Sequence, residues 1–127
     1  MNHFTLIVTK SPFDSRNAES AICFCDAAIS RGDIIEQVFF YQSGVHNASS
    51  LLQSNSDEFD TRSKWILLAK EHGVKLNVCV TAALRRGVID NTLAEQPSVA
   101  NLQPPFCQVG LSDYFAALAE GSINVQF

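Results

Sequence analysis

Charge is scarce in this chain. Asp, Glu, Lys and Arg make up only 17% of its 127 residues, against about a quarter in ordinary globular domains. A surface so poor in charge predicts that part of it is covered by other subunits. The net charge is −4 and the isoelectric point about 5.2, so the chain as a whole does not attract a phosphate backbone, and direct nucleic-acid binding is disfavoured. Long hydrophobic runs are missing too. MNHFTLIVTK holds an apolar run of only five residues after His3, far short of a membrane span or a secretory core. The chain therefore reads as cytoplasmic, with no membrane partner.

Signature motifs are absent as well. GxGxxG, GxxxxGK followed by Ser or Thr, HExxH and CxxC do not occur, which removes the usual support for dinucleotide, nucleotide triphosphate, zinc-protease and thioredoxin chemistry. Four cysteines are present, Cys23, Cys25, Cys79 and Cys107. Without a secretory signal they are expected to be reduced thiols. Cys23 and Cys25 fall in a predicted helix, about 200° apart around its axis, and so cannot easily grip one metal ion.

What is present is hydrophobic patterning, in 46% of the residues. That suffices for one domain over residues 1–127 with a core of its own. FTLIVT (Phe4–Thr9) is an apolar, β-branched run expected of a strand covered on both faces, broken by SPFDS. Ala18, Ala21, Ile22, Cys25, Ala28 and Ile29 form one helical stripe, which predicts a helix from Asn17 to Arg31 stopped at Gly32. A second strand is expected over Ile34–Tyr41, then an irregular or partly helical connection. A helix over Thr61–His72 carries Trp65, Ile66, Leu68 and Ala69, with Gly73 as its stop, and Lys75–Cys79 reads as a third strand. A polar connection over Thr92–Pro105, a brief strand at Phe106–Val109, a helix over Ser112–Glu120 and a last strand in INVQF complete the pattern. Strands alternating with helices predict an α/β fold, a three-layer sandwich in which helices flank a mostly parallel sheet joined by right-handed crossovers.

Chemistry in such folds gathers outside the carboxyl ends of the strands. LNVCVTAALRRG (Leu76–Gly87) places Cys79 there, ahead of a short helical segment, Thr81–Arg86. Unpaired N–H groups at a helix start favour thiolate, the reactive form. Arg85 and Arg86 sit at the far end of that segment, where cations are favoured in any case, so the helix start is the stronger argument of the two. The residue pattern also fits a plain core thiol, because free cysteine is among the most buried residue types, and both readings of Cys79 stand at this point. Cys25 lies on the apolar stripe and reads as core, and Cys23 lies off it. Cys107 fits either a buried or an exposed position. His46 reads as a loop histidine, with no partner at a telling spacing, His3 as a strand-edge residue and His72 as a helix-end residue. SDEFD (Ser56–Asp60) reads as an N-cap and first-turn acid cluster.

Several stretches together carry a family likeness: VFFYQSGVHNASSL (Val38–Leu51), SDEFD, HGVKLNVCVTAALRRGV (His72–Val88), NLQPPF (Asn101–Phe106) and the closing VQF. On these the chain resembles the DsrE-like sulfur-relay family, and within it the sulfurtransferase subunits that feed 2-thiolation of the tRNA wobble uridine. The resemblance implies that Cys79 receives sulfane sulfur, holds it as a persulfide and passes it to a partner's cysteine, with no metal or organic cofactor. It implies assembly with TusB-like and TusC-like subunits as a heterohexamer, a TusA-like donor and a TusE-like acceptor. It assigns no task to Arg85, Arg86, Cys23, Cys25 or Cys107. Relays of dissimilatory sulfur oxidation share the same cysteine segment, and a non-catalytic scaffold subunit with a buried Cys79 is the reading from a different functional class.

Overall fold

The computed structural model describes residues 1–127, the side chains of Pro97 and Ala119 excepted. Five strands form one sheet: β1 (His3–Val8), β2 (Ile34–Phe40), β3 (Lys75–Cys79), β4 (Phe106–Val109) and β5 (Ile123–Gln126). Their order is β4-β3-β2-β1-β5, and every pairing is parallel. The helices are α1 (Asn17–Ser30), α2 (Thr61–His72), α3 (Val80–Leu84) and α4 (Leu111–Ala119), with 3-10 turns at Gln42–Ala48 and Pro97–Val99.

Consecutive residues of β2 show why the strands are apolar on both sides. Phe40 meets Trp65 of α2 edge to face at 5.2 Å, whereas Phe39 stacks on Tyr114 of α4 at 4.8 Å. Alternation along a strand sends neighbours to opposite faces, so α2 covers one face and α4 the other. α1 shares the α2 side, where Phe24 packs edge to face on Phe4 at 5.1 Å. Phe39, Phe40, Trp65, Leu6 and Val38 are among the fully buried side chains of this core.

Helix ends follow local chemistry. Gly32 and Gly73 both take positive φ, 91° and 67°, which lets each chain end turn out of its helix without a Cβ penalty. Asp60 caps α2, its carboxylate accepting from the Ser63 backbone N–H at 3.2 Å and the Ser63 hydroxyl at 2.8 Å. Only this last acid of SDEFD acts on the helix. Glu58 instead accepts from the Asn55 N–H, so the expected first-turn cluster lies ahead of the turn. α4 starts one residue earlier than expected, at Leu111, because the Asp113 carboxylate accepts from the Gly110 N–H at 3.1 Å and fixes the start there.

The return from β4 to β5 crosses to the other edge of the sheet, so the crossover direction reverses between β1 and β5. Ligand crevices of open α/β sheets usually open at that switch point. Here Phe127 occupies it: its N–H donates to Ile7 O at 2.9 Å, its carbonyl accepts from the Thr9 N–H at 3.0 Å, and its ring lies 5.8 Å from that of Phe24. The open carboxyl ends are those of β2, β3 and β4.

Candidate functional site

Cys79 is the last residue of β3 and the residue from which α3 starts, at φ −62° and ψ 117°. Alternation from Leu76 and Val78, both buried on the α2 side, places Cys79 on the α4 side with Asn77. It borders a cleft of about 430 Å³ at the carboxyl ends of three adjacent strands. Tyr41 and Gln42 come from the end of β2, Gly110 and Leu111 from the end of β4, and Val80, Thr81, Ala82, Arg85 and Arg86 from α3 and its exit. Cys79 itself is only 5% exposed, so it reaches the outside through this cleft and not from an open surface.

Each wall is tied down by polar contacts the sequence does not announce. Tyr41 N–H donates to Val8 O, and Gly44 N–H donates to Tyr41 O, both at 2.9 Å. Between them Gln42 takes φ 50°, a left-handed conformation that costs a non-glycine residue about 1–2 kcal/mol. Asn47, fully buried, donates to Gly44 O at 2.8 Å and Lys10 O at 3.1 Å and accepts from the Trp65 indole N–H at 3.2 Å. On the other side, Asn101 donates to Gly87 O at 2.9 Å and accepts from the Ile89 N–H at 2.8 Å. The polar connection after α3 is thereby stitched to the exit of the helix that bears the arginines.

The short helical segment expected over Thr81–Arg86 starts one residue earlier in the chain. α3 spans five residues, Val80–Leu84, little more than one turn, and a dipole that short carries little field. Arg85 and Arg86, ranked second on sequence, both line the cleft. Arg86 Nη1 donates to Ala82 O at 3.1 Å. The structure thus brings the arginines to the cleft that Cys79 borders, and it adds Tyr41, Gln42, Gly110 and Leu111, which carry no sequence motif. Their signal was position alone, one or two residues past the ends of strands that neighbour β3.

The other thiols divide as their patterns suggest. Cys25 is fully buried, and burial, with Asp26 nearby, pushes its thiol up to about 12 from 9.0. Cys23 and Cys107 are exposed. At neutral pH, iodoacetamide is expected to label Cys23 and Cys107 and to reach Cys25 only on unfolding. Cys25 also weakens the fold in alkali. Its folded value is raised, so its contribution is intact below pH 9 and is lost as pH rises from 9 towards 12. Urea midpoints that fall through that window in the wild type, and fall less in Cys25→Ala, check the assignment.

His46 sits in the 3-10 turn Gln42–Ala48, His3 pairs with Glu36, and His72 ends α2 beside Glu71. None of the three lines the Cys79 cleft. Among the described residues no cluster of His, Cys, Asp or Glu could hold a metal ion, and no helix is long and apolar enough to cross a membrane.

Comparison with known proteins places this geometry in a family. The DsrE/DsrF-like family model matches residues 2–127. The chain is 43% identical over 129 aligned residues to the protein named Sulfurtransferase TusD of Serratia proteamaculans (strain 568), with all of both chains covered. In three dimensions it superposes on the crystal structure of ychN protein from E. coli with a TM-score of 0.77, both chains fully covered, at 14% identity. The last likeness concerns the fold alone.

Proposed function

Because the chain belongs to the DsrE/DsrF-like family from residue 2 to 127, we propose that it is a sulfurtransferase which carries sulfane sulfur as a persulfide on Cys79, within the relay for 2-thiolation of the tRNA wobble uridine. The observation that carries this reading is the end-to-end likeness to a protein named as a sulfurtransferase. The cleft supports it by giving the Cys79 sulfur a route outward between the ends of β2 and β4.

The chemistry is thiol–disulfide exchange with a sulfane sulfur in place of one partner. Cys79 thiolate attacks the outer sulfur of a donor persulfide, R–S–SH. A new S–S bond forms on Cys79, the donor S–S bond breaks, and R–S⁻ leaves. An acceptor thiolate then attacks the outer sulfur of Cys79–S–SH and takes it, so Cys79 leaves as thiolate. Neither step changes the overall redox state, and neither calls for a cofactor.

In this reading the donor is TusA-like and the acceptor TusE-like, and TusB-like and TusC-like subunits complete a heterohexamer in the cytoplasm. Exposed Leu111 and Phe115 on α4, at 39% and 56%, supply apolar area for subunit contacts beside the cleft. The chain itself touches no RNA. Deleting the gene is expected to leave wobble uridine without its 2-thio group, with restoration by the wild-type gene and none by a Cys79→Ser copy. Unchanged 2-thiouridine in nucleoside digests of the deletion strain would overturn the tRNA assignment and favour a dissimilatory relay.

A further inference from the structure

The cleft at Cys79 has a charge opposite to that of the chain. Acidic residues outnumber basic ones 13 to 9 overall, yet among the described residues the only formally charged ones lining the cleft are Arg85 and Arg86. Other arginines are already engaged: Arg16 with Glu19, Arg31 with Asp33, and Arg62 over the Phe106 ring at 5.7 Å. Arg85 and Arg86 have no ion-pair partner among the described residues. The Arg86 guanidinium is held in place even so, because Nη1 donates to Ala82 O one turn back. That bond uses one of its five N–H donors. The rest of this permanently charged fork lines the same cleft as Cys79, a residue that is 5% exposed.

We propose that Arg85 and Arg86 make this cleft a receiving site for an anionic sulfur donor, holding its negative charge at the mouth while Cys79 takes the sulfur. This inference rests on the reading of Cys79 as the sulfur carrier. Arg85, at the exposed rim, also raises the local concentration of an anionic sulfur donor or reagent. The paired arginines of LRRG, which pattern and family likeness leave without a task, acquire one.

The test compares two alkylating reagents of nearly equal size, neutral iodoacetamide and anionic iodoacetate, in a chain carrying Cys23→Ser and Cys107→Ser, so that Cys79 and the buried Cys25 are the thiols left. The iodoacetate-to-iodoacetamide rate ratio at Cys79 is expected to fall about threefold to fivefold in Arg85→Gln and in Arg86→Gln, and about tenfold in the double variant. Arg85→Lys and Arg86→Lys keep most of the ratio because they keep the charge, although Arg86→Lys gives up the guanidinium geometry. Raising salt lowers the ratio in the parent chain and leaves it unmoved in the double Gln variant. A ratio unchanged in the double variant overturns the inference, as does a Cys79 that reacts with either reagent only when the chain unfolds. Sulfur transfer that survives Cys79→Ser would instead overturn the reading of Cys79 itself, whatever the ratio.

Discussion

Cys79→Ser is expected to fold and to pass no sulfur. A hydroxyl cannot hold sulfane sulfur as a persulfide, and at neutral pH it ionises far too little to attack one, so transfer from a persulfidated donor should drop to the uncatalysed background. The fold has reason to register the change modestly. Position 79 is 5% exposed and belongs to the hydrophobic core, and a hydroxyl buried there without a partner costs about 1–3 kcal/mol. Cys79→Ala separates the two effects. It leaves no unpaired hydroxyl, so its urea midpoint should lie nearer that of the wild type while its transfer activity is as absent as in the serine variant. Transfer retained by both variants would mean that the sulfur travels through another thiol.

Gly44→Ala is expected to damage both stability and the site. Gly44 needs no unusual backbone angle. What matters is space: a Cβ there would overlap the Val8 carbonyl oxygen and lie 2.7 Å from its carbon. Both atoms belong to the backbone of β1, a central strand, and neither can swing aside as a side chain would. The segment Tyr41–Asn47 must lift instead. That strains the bonds from Tyr41 N–H to Val8 O, from Gly44 N–H to Tyr41 O and from Asn47 to Gly44 O, and it draws Tyr41 and Gln42 away from the cleft. Overpacking against fixed backbone places the cost at about 3 kcal/mol or more, read as a lowered urea midpoint at unchanged slope. Alkylation of Cys79 by iodoacetamide should change in rate with it, because one wall of its cleft has moved. A midpoint equal to that of the wild type would show that β1 and the 3-10 turn are not in contact at this point.

Much of this architecture was legible because it is written in local pattern. Lys75–Cys79 is an apolar run between a stopping glycine and a helix-forming segment, and it forms β3 with those bounds. Trp65 and Leu68 mark the buried stripe of α2, and Asp60 and Gly73 cap its two ends. The position of Cys79 at a strand's carboxyl end follows from the same pattern. The composition of the cleft does not, because it depends on which strands flank β3. The order β4-β3-β2-β1-β5 is set by pairings between segments far apart in the chain, and only that order brings Tyr41 and Gly110 to Cys79.

Two further features escaped local reading for specific reasons. Gln42 carries the only positive φ of a non-glycine residue among the described residues, and glutamine has no intrinsic preference for that region. It is held there by Tyr41 and Gly44 on either side. The rank of the arginines below the helix start rested on their place at the end of a short segment, where cations are favoured in any case, and the turn that follows Cys79 ends after five residues, with Arg85 as its cap and Gly87 at φ 72° behind it. So short a helix carries little dipole, and Arg86 reaches back from its end to Ala82 O.

The most direct test of the whole account is peptide mass mapping of the wild-type chain after incubation with a persulfidated sulfur donor under non-reducing conditions. The account predicts that the peptide bearing Cys79 gains the mass of one sulfur atom, that the gain disappears on addition of an acceptor thiol or of dithiothreitol, and that peptides bearing Cys23, Cys25 and Cys107 stay unmodified. A Cys79 peptide that gains nothing, or a gain that settles on Cys23 or Cys107 instead, would contradict it.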